Sequence, residues 1–182
     1  MSEQPPNDDD LFFAEEGEEV GKVPLHPWRI LVVDDDQDVH EATVLALRGL
    51  EVLDRPMQLL HAHSANEALD CLRRETDIAV ILLDVVMETL TAGLDIVATI
   101  RGELGLVNLR IVLRTGQPGY APEIETIHDF DINDYKTKSE LTRTKLYATV
   151  TAALRAYEQI RKLDELAFYD RLSCLPNRNK FI

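Results

Sequence analysis

The chain has 182 residues, 45% of them hydrophobic, with 33 acidic against 19 basic side chains and a formal net charge of −14. That length gives room for one ordinary domain of about 100 to 150 residues plus appendages, and the acidic balance argues against a nucleic-acid footprint, which needs a basic face. The start lacks a basic-then-apolar leader and no apolar run approaches the roughly 20 residues of a membrane span, so a cytoplasmic protein is expected.

Residues 1–27 hold eight carboxylates (Glu3, Asp8, Asp9, Asp10, Glu15, Glu16, Glu18 and Glu19) against Lys22 alone, with prolines at 5, 6, 24 and 27. Such a segment buries too little apolar surface to offset its ordering entropy and reads as a disordered acidic tail. Within it, Leu11-Phe12-Phe13 has the form of a short docking motif, although a solvated tail accounts for it more simply.

From Trp28 the pattern alternates between strand and helix. Ile30-Leu31-Val32-Val33 is an apolar, β-branched strand ending in Asp34-Asp35-Asp36, and residues 38–50 have helical spacing that stops at Gly49. Asp38 with Glu41 resembles a capping box, so Asp34 and Asp35 are assigned to a site and Asp36 or Asp38 to the cap. Residues 58–63 read as a short strand, and Ser64-Ala65-Asn66-Glu67 is a capping box opening a second helix. His61 and His63 share one face of that strand; without a third ligand nearby they read as a half-exposed face, because metal sites need three or four ligands.

Ala79-Val80-Ile81-Leu82-Leu83-Asp84-Val85-Val86-Met87 is a run as apolar as any buried strand, with Asp84 its single charge. An unpaired carboxylate in such a strand is too costly to keep, so Asp84 belongs at the strand's carboxyl end, where open parallel sheets bind ligands. The plain alternative is an Asp capping the following loop. A third helix carries Leu94, Val97, Ala98 and Ile100 and closes near Gly102; residues 109–114 form a fourth strand and Thr115 to Gly119 a turn-rich loop. Pro122 suits the first turn of a helix containing Ile124 and Ile127, and residues 131–135 are a weak fifth strand. Helix-length segments between strands imply crossover connections and a parallel sheet.

Two strands ending in carboxylates bring at least three acidic groups to one edge. At about 4 Å two such charges repel by roughly 4 kcal/mol at an effective dielectric of about 20, which a divalent cation relieves, and hard carboxylate oxygens suit Mg²⁺. Thr115 after strand four and Lys136 after strand five occupy the same edge, as a hydroxyl donor and a point charge fitted to a phosphoryl group. Singly, each is an ordinary turn or solvated residue; the placement on successive strand ends is the signal.

These residues carry a resemblance. Ile30 to Asp36, Ile81 to Met87, Val112-Leu113-Arg114-Thr115-Gly116 and Asp134-Tyr135-Lys136 are similar to the receiver domain of two-component response regulators, over about residues 28–157. The resemblance implies an α/β, doubly wound, flavodoxin-like fold with a five-stranded parallel sheet in order 2-1-3-4-5. It also implies that Asp84 accepts a phosphoryl group from a histidine kinase or phosphotransfer protein. Asp34, Asp35, Asp84 and the Val86 carbonyl would hold Mg²⁺, and Thr115 and Lys136 would bind the phosphoryl group. Three positions depart from the family pattern: Thr137 after Lys136 and Glu88 after Met87 replace prolines, and Asn133, three before Lys136, stands where many receivers carry a switch aromatic. Val86 and Gln117 resemble positions that tune phosphoryl lifetime, and an apolar Val86 implies slow self-dephosphorylation.

The expected division is a tail over 1–27, a receiver core over 28–138, an extended helix over 139–168 and the start of an output domain over 169–182. Residues 139–168 contain neither Gly nor Pro, and Leu146, Val150, Ala153, Tyr157 and Ile160 step by 4, 3, 4 and 3, a heptad seam; part of it must pack on the receiver, and the remaining length, about two heptads, suggests a parallel homodimer rather than a plain capping helix. The segment from Asp170 to Phe181, with Leu175-Pro176-Asn177-Arg178 at its centre, resembles the opening of a GGDEF domain, with Ser173 and Cys174 in place of the usual threonine and glycine. That resemblance implies a cyclic-di-GMP output, while the fragment itself reads as a signalling module rather than an enzyme. Two rival functions are a phosphorylation-independent docking module and a haloacid-dehalogenase-like phosphatase, whose Asp-x-Asp-x-Thr run is not matched by Asp34 to Asp38.

Overall fold

The computed structural model describes residues 26–116, 127–128, 131–140 and 142–168. The acidic tail, the helix expected after Pro122 and the segment expected to open an output domain lie outside these residues, apart from His26 and Pro27 at the end of the tail and from Ile127 and His128, which are helical. Elements run β1 (Trp28–Val33), α1 (Gln37–Leu47), β2 (Glu51–Val52), β3 (Arg55–Ala62), α2 (Ala65–Arg74), β4 (Ile78–Asp84), α3 (Ala92–Gly102), β5 (Arg110–Thr115), β6 (Asp134–Thr137), a 3-10 turn (Lys138–Glu140) and α4 (Arg143–Phe168).

The sheet order is β2-β3-β1-β4-β5-β6. All pairs are parallel except β2 with β3, so the five parallel strands have the doubly wound 2-1-3-4-5 order expected from the sequence. The extra strand is a hairpin turning through Leu53 and Asp54, with φ of 53° and 58°. Two consecutive left-handed residues make the tight turn that matches strand twist, and neither is the glycine or asparagine that would announce it.

Alternation sorts the apolar residues into two cores. Leu31, Val33, Ile81, Leu83, Ile111 and Leu113 face α2 and α3. Ile30, Val32, Val80, Leu82 and Val112 face the other way, toward Leu146, Val150, Ala153 and Leu154 of α4. Every residue of β4 is buried, as a central strand covered on both faces must be; each large side chain so buried contributes about 1.5–3 kcal/mol.

Local signals set the helix starts. Asp36, not Asp38, caps α1, its carboxylate accepting from the Asp38 amide at 2.9 Å. Ser64 caps α2 through the Glu67 amide, and Glu67 reaches back to the His63 amide at 2.8 Å, the reciprocal arrangement of a capping box displaced by one residue. The heptad seam packs in part on the receiver, as its length requires. Leu146, Val150 and Ala153 are buried against the chain's own sheet, and Tyr157 packs edge-on to Trp28. The first three seam positions therefore serve the domain core, and among the described side chains of α4 the exposed large apolar ones are Leu163 and Leu166.

Candidate phosphoacceptor site

The carboxyl ends of β1, β4, β5 and β6 converge on one acidic pocket. Asp34 directly follows β1, and its amide donates to the Ala62 carbonyl at 3.2 Å, which continues the ladder by one residue. Asp84 closes β4. Both are buried, at 0% and 3% exposure, while Asp35 is exposed. Oxygens of Asp34, Asp35 and Asp84 all lie within 4.8 Å of one another.

Lys138 supplies the balancing charge. Its Nζ lies 2.7 Å from Asp84 Oδ2 and 3.0 Å from Asp34 Oδ2. Lys136, the lysine expected at this site, instead places its Nζ 3.1 Å from Asp134 at the half-exposed edge. Register explains this placement. Thr115 pairs with Thr137 and Arg114 with Lys136, so Lys136 sits one step inside the strand end and only a residue beyond Thr137 clears the sheet edge. Counted from Lys138, the position three residues upstream is Tyr135, an aromatic. Asn133 has a structural role, since its side-chain oxygen accepts from the Ile111 amide at 2.7 Å and fixes the entry of β6 beside β5.

Arg114 joins the site without having stood out in the sequence. It is 2% exposed, its Nη1 donates to Thr43 Oγ1 at 3.1 Å, and its Nη2 lies 3.5 Å from Asp34 Oδ2. An apolar strand interrupted by Arg immediately before Thr115 is the signal that points to it, since a buried guanidinium needs a carboxylate partner. Burial pulls the Arg114 pKa down, opposed by Asp34 and Asp84.

The Asp84 pKa is raised, first because burial disfavours its charge, with Asp34 adding to the effect and the bond from Lys138 opposing it. Lys138 is itself pulled down by burial, but its bonds to Asp84 and Asp34 outweigh this and raise it. The Val86 amide donates to Asp84 Oδ1 at 3.3 Å, leaving Oδ2 on Lys138. Thr115 ends β5 and is fully buried.

The loop after Asp84 is held tightly. The Gly93 amide donates to the Val85 carbonyl at 3.1 Å, and a Cβ at Gly93 would stand 2.2 Å from the Asp84 carbonyl oxygen. Only glycine lets the first turn of α3 press against the strand end that carries Asp84.

The donor set fits a hard divalent cation. Mg²⁺ takes oxygens at about 2.0–2.1 Å, which places opposite ligands about 4.2 Å apart, close to the spacing of the three carboxylates. Lys138 and Arg114 already offset part of their charge, so one further cation leaves the group near balance.

Known proteins agree with this reading of the fold. A family model described as "Response regulator receiver domain" matches residues 30–151. The chain is 44% identical over 162 residues to a 3'3'-cGAMP-specific phosphodiesterase 2 of Vibrio cholerae serotype O1; the match covers 86% of this chain and spans 31% of that relative's length. Among solved structures, it resembles an adenylate cyclase from Rhodopirellula baltica with a TM-score of 0.63 and 22% identity, over 77% of this chain and 96% of that one. It also resembles the signal receiver domain of an HD domain-containing protein from Pseudomonas fluorescens Pf-5, with a TM-score of 0.60 and 20% identity, over 73% and 98% of the two chains. Among the described residues no helix is long and apolar enough to cross a membrane. With this fold, this edge of carboxylates and a family match over two thirds of its length, the chain belongs to the response regulator receiver domains.

Proposed function

We propose that this receiver is a phosphoacceptor switch in the cytoplasm whose acceptor is Asp84. A carboxylate oxygen of Asp84 attacks the phosphorus of a phosphohistidine on a sensor histidine kinase or phosphotransfer protein. A P–O bond forms as the P–N bond breaks, and the leaving imidazole takes up a proton. Asp34, Asp35, Asp84 and the Val86 carbonyl hold Mg²⁺, which when bound neutralises charge on the transferring group. Thr115 donates its hydroxyl to a phosphoryl oxygen, and Lys138 moves from the free carboxylate to the acylphosphate, in the role the sequence suggests for Lys136. Tyr135 is placed three residues before that lysine to register its movement.

The observation that carries this reading is the Lys138–Asp84 contact at 2.7 Å beside two further carboxylates. An ammonium that already spans the pocket responds when one of its partners becomes an acyl phosphate. The similarity to a cyclic-dinucleotide phosphodiesterase supports an output acting on cyclic dinucleotides, with the Asp170–Phe181 segment as a GGDEF-like opening. A homodimer through the last receiver face and the exposed end of α4 fits that output. Phosphorylation shifts such an equilibrium only if the two arrangements bind differently to the modified face.

Intact mass and sedimentation with Mg²⁺ and a small phosphodonor test the proposal. One phosphoryl group on the wild type and none on Asp84→Asn is the expected result. Absence of uptake from any donor overturns it in favour of a docking module, and uptake with unchanged sedimentation removes the dimer alone.

A further inference from the structure

Outside the acidic pocket, three of the chain's five histidines meet between α1 and the end of β3. In the sequence His61 and His63 form a pair lacking a third ligand. The fold supplies His40, whose ring centroid lies 5.0 Å from that of His61 and 4.2 Å from that of His63. His40 is buried, His61 and His63 are exposed, and all three line an open cavity of about 410 Å³ that Glu41 also borders.

The hydrogen bonds define which nitrogens are free. His40 Nε2 lies 2.8 Å from the Asp34 carbonyl oxygen. A carbonyl only accepts, so Nε2 carries the proton and the neutral ring keeps its lone pair on Nδ1. That Nδ1 faces His61 Nδ1 at 2.8 Å, an arrangement in which His61 donates. A histidine that donates one N–H to a backbone carbonyl and aims the other nitrogen at a second imidazole has the orientation of a metal ligand with its outer partner already in place.

We propose that His40, His61 and His63 form a binding site for a borderline transition-metal cation of the Zn²⁺ class, separate from the carboxylate site. Tetrahedral ligands at about 2.0–2.1 Å have nitrogens about 3.3 Å apart, so the two Nδ1 atoms need to separate by only about 0.5 Å to admit the ion. His61 transfers its proton from Nδ1 to Nε2 in the process, and no net charge is released. His63, exposed and in contact with the His40 ring, turns to give the third nitrogen, and water or Glu41 gives the fourth ligand. Imidazole nitrogens select Zn²⁺, Ni²⁺ or Cu²⁺ where carboxylates select Mg²⁺, so the two sites sort their ions by ligand type.

Zn²⁺ titration of the full chain by calorimetry, in Mg²⁺ sufficient to saturate the carboxylates, tests this. One Zn²⁺ per chain is expected. His61→Gln and His63→Gln, both at exposed positions, should each weaken binding by at least about 10-fold, the lower end of what loss of an outer partner alone costs, while His26→Gln leaves it unchanged. Circular dichroism of each variant confirms folding. Failure of the wild type to bind Zn²⁺, or equal binding by both variants and the wild type, overturns the proposal and leaves the three rings as a packing contact.

Discussion

Lys138 Nζ stands 2.7 Å from Asp84 Oδ2, and this ion pair ties the 3-10 turn after β6 to the end of β4. Replacing Lys138 leaves two buried carboxylates facing each other, whereas replacing Lys136 frees only Asp134 at the half-exposed edge. Lys138→Ala should lose about 1–3 kcal/mol in urea denaturation, as expected when a buried charged acceptor loses its donor. Lys136→Ala should stay within about 0.5 kcal/mol. The Lys138 contribution is present below the ordinary lysine pKa and is lost as pH rises through the raised folded value. Equal losses in the two variants would return the role to Lys136.

Asp84 has a pH dependence of its own, set in the acid range. Its folded pKa lies above the ordinary value of 3.8, so folding favours its protonated form. The stability this lends is whole below 3.8 and is lost as pH rises through the folded pKa. Asp84→Asn should therefore raise the Tm at pH 7 without Mg²⁺, and the gain should shrink toward about pH 4. A lower Tm for Asp84→Asn at neutral pH would mean that the bond from Lys138 outweighs burial.

Gly93→Ala should cost about 3 kcal/mol, near the upper end for overpacking, because its Cβ meets backbone and not a movable side chain. Urea denaturation gives the number, and amide shifts of Val85 and Val86 should report movement of the strand end. A loss under about 0.5 kcal/mol, the range of an ordinary surface change, would mean that α3 can back away from β4 freely.

Arg114 competes with any cation for Asp34. A unit charge about 5 Å from another interacts by roughly 3 kcal/mol at an effective dielectric of about 20, so Arg114→Met should tighten Mg²⁺ binding by about 10-fold or more. Calorimetric Mg²⁺ titration of the two proteins decides this. Unchanged affinity would place the ion beyond reach of the guanidinium.

Leu163 and Leu166 are exposed apolar residues of α4. Leu163→Glu and Leu166→Glu should leave the unfolding free energy within about 0.5 kcal/mol and abolish phosphodonor-dependent association in sedimentation. Association that survives the double variant would assign the contact to another face.

Asp34 and Asp84 were legible because each is a charge at the end of an apolar run, a pattern that local sequence expresses fully. The lysine was not, because Lys136 and Lys138 differ by one strand period and only the pairing of Thr115 with Thr137 separates them. Tyr135 held the missing clue, standing three residues before Lys138. Arg114 and His40 act across elements far apart in sequence, and no local spacing places Thr43 beside one or His61 beside the other. The seam of α4 is legible as apolar and as packing partly on the receiver, but a stripe of that period serves a sheet as well as a second helix, so spacing alone does not divide it between the two.

The long helix has a further consequence. Its 26 residues run about 39 Å from the pocket edge of the sheet to the opposite one, where Asp164 accepts from Asn108 Nδ2 at 2.8 Å, just ahead of β5. Arg143 donates to the Ala46 carbonyl near its start and Tyr147 to that of Glu51, so the rod is held to α1 and β2 over its first turns and to the segment before β5 near its end. A displacement at the start of such a rod is carried to its far end as a tilt or twist of the whole, so that end expresses orientation rather than chemistry.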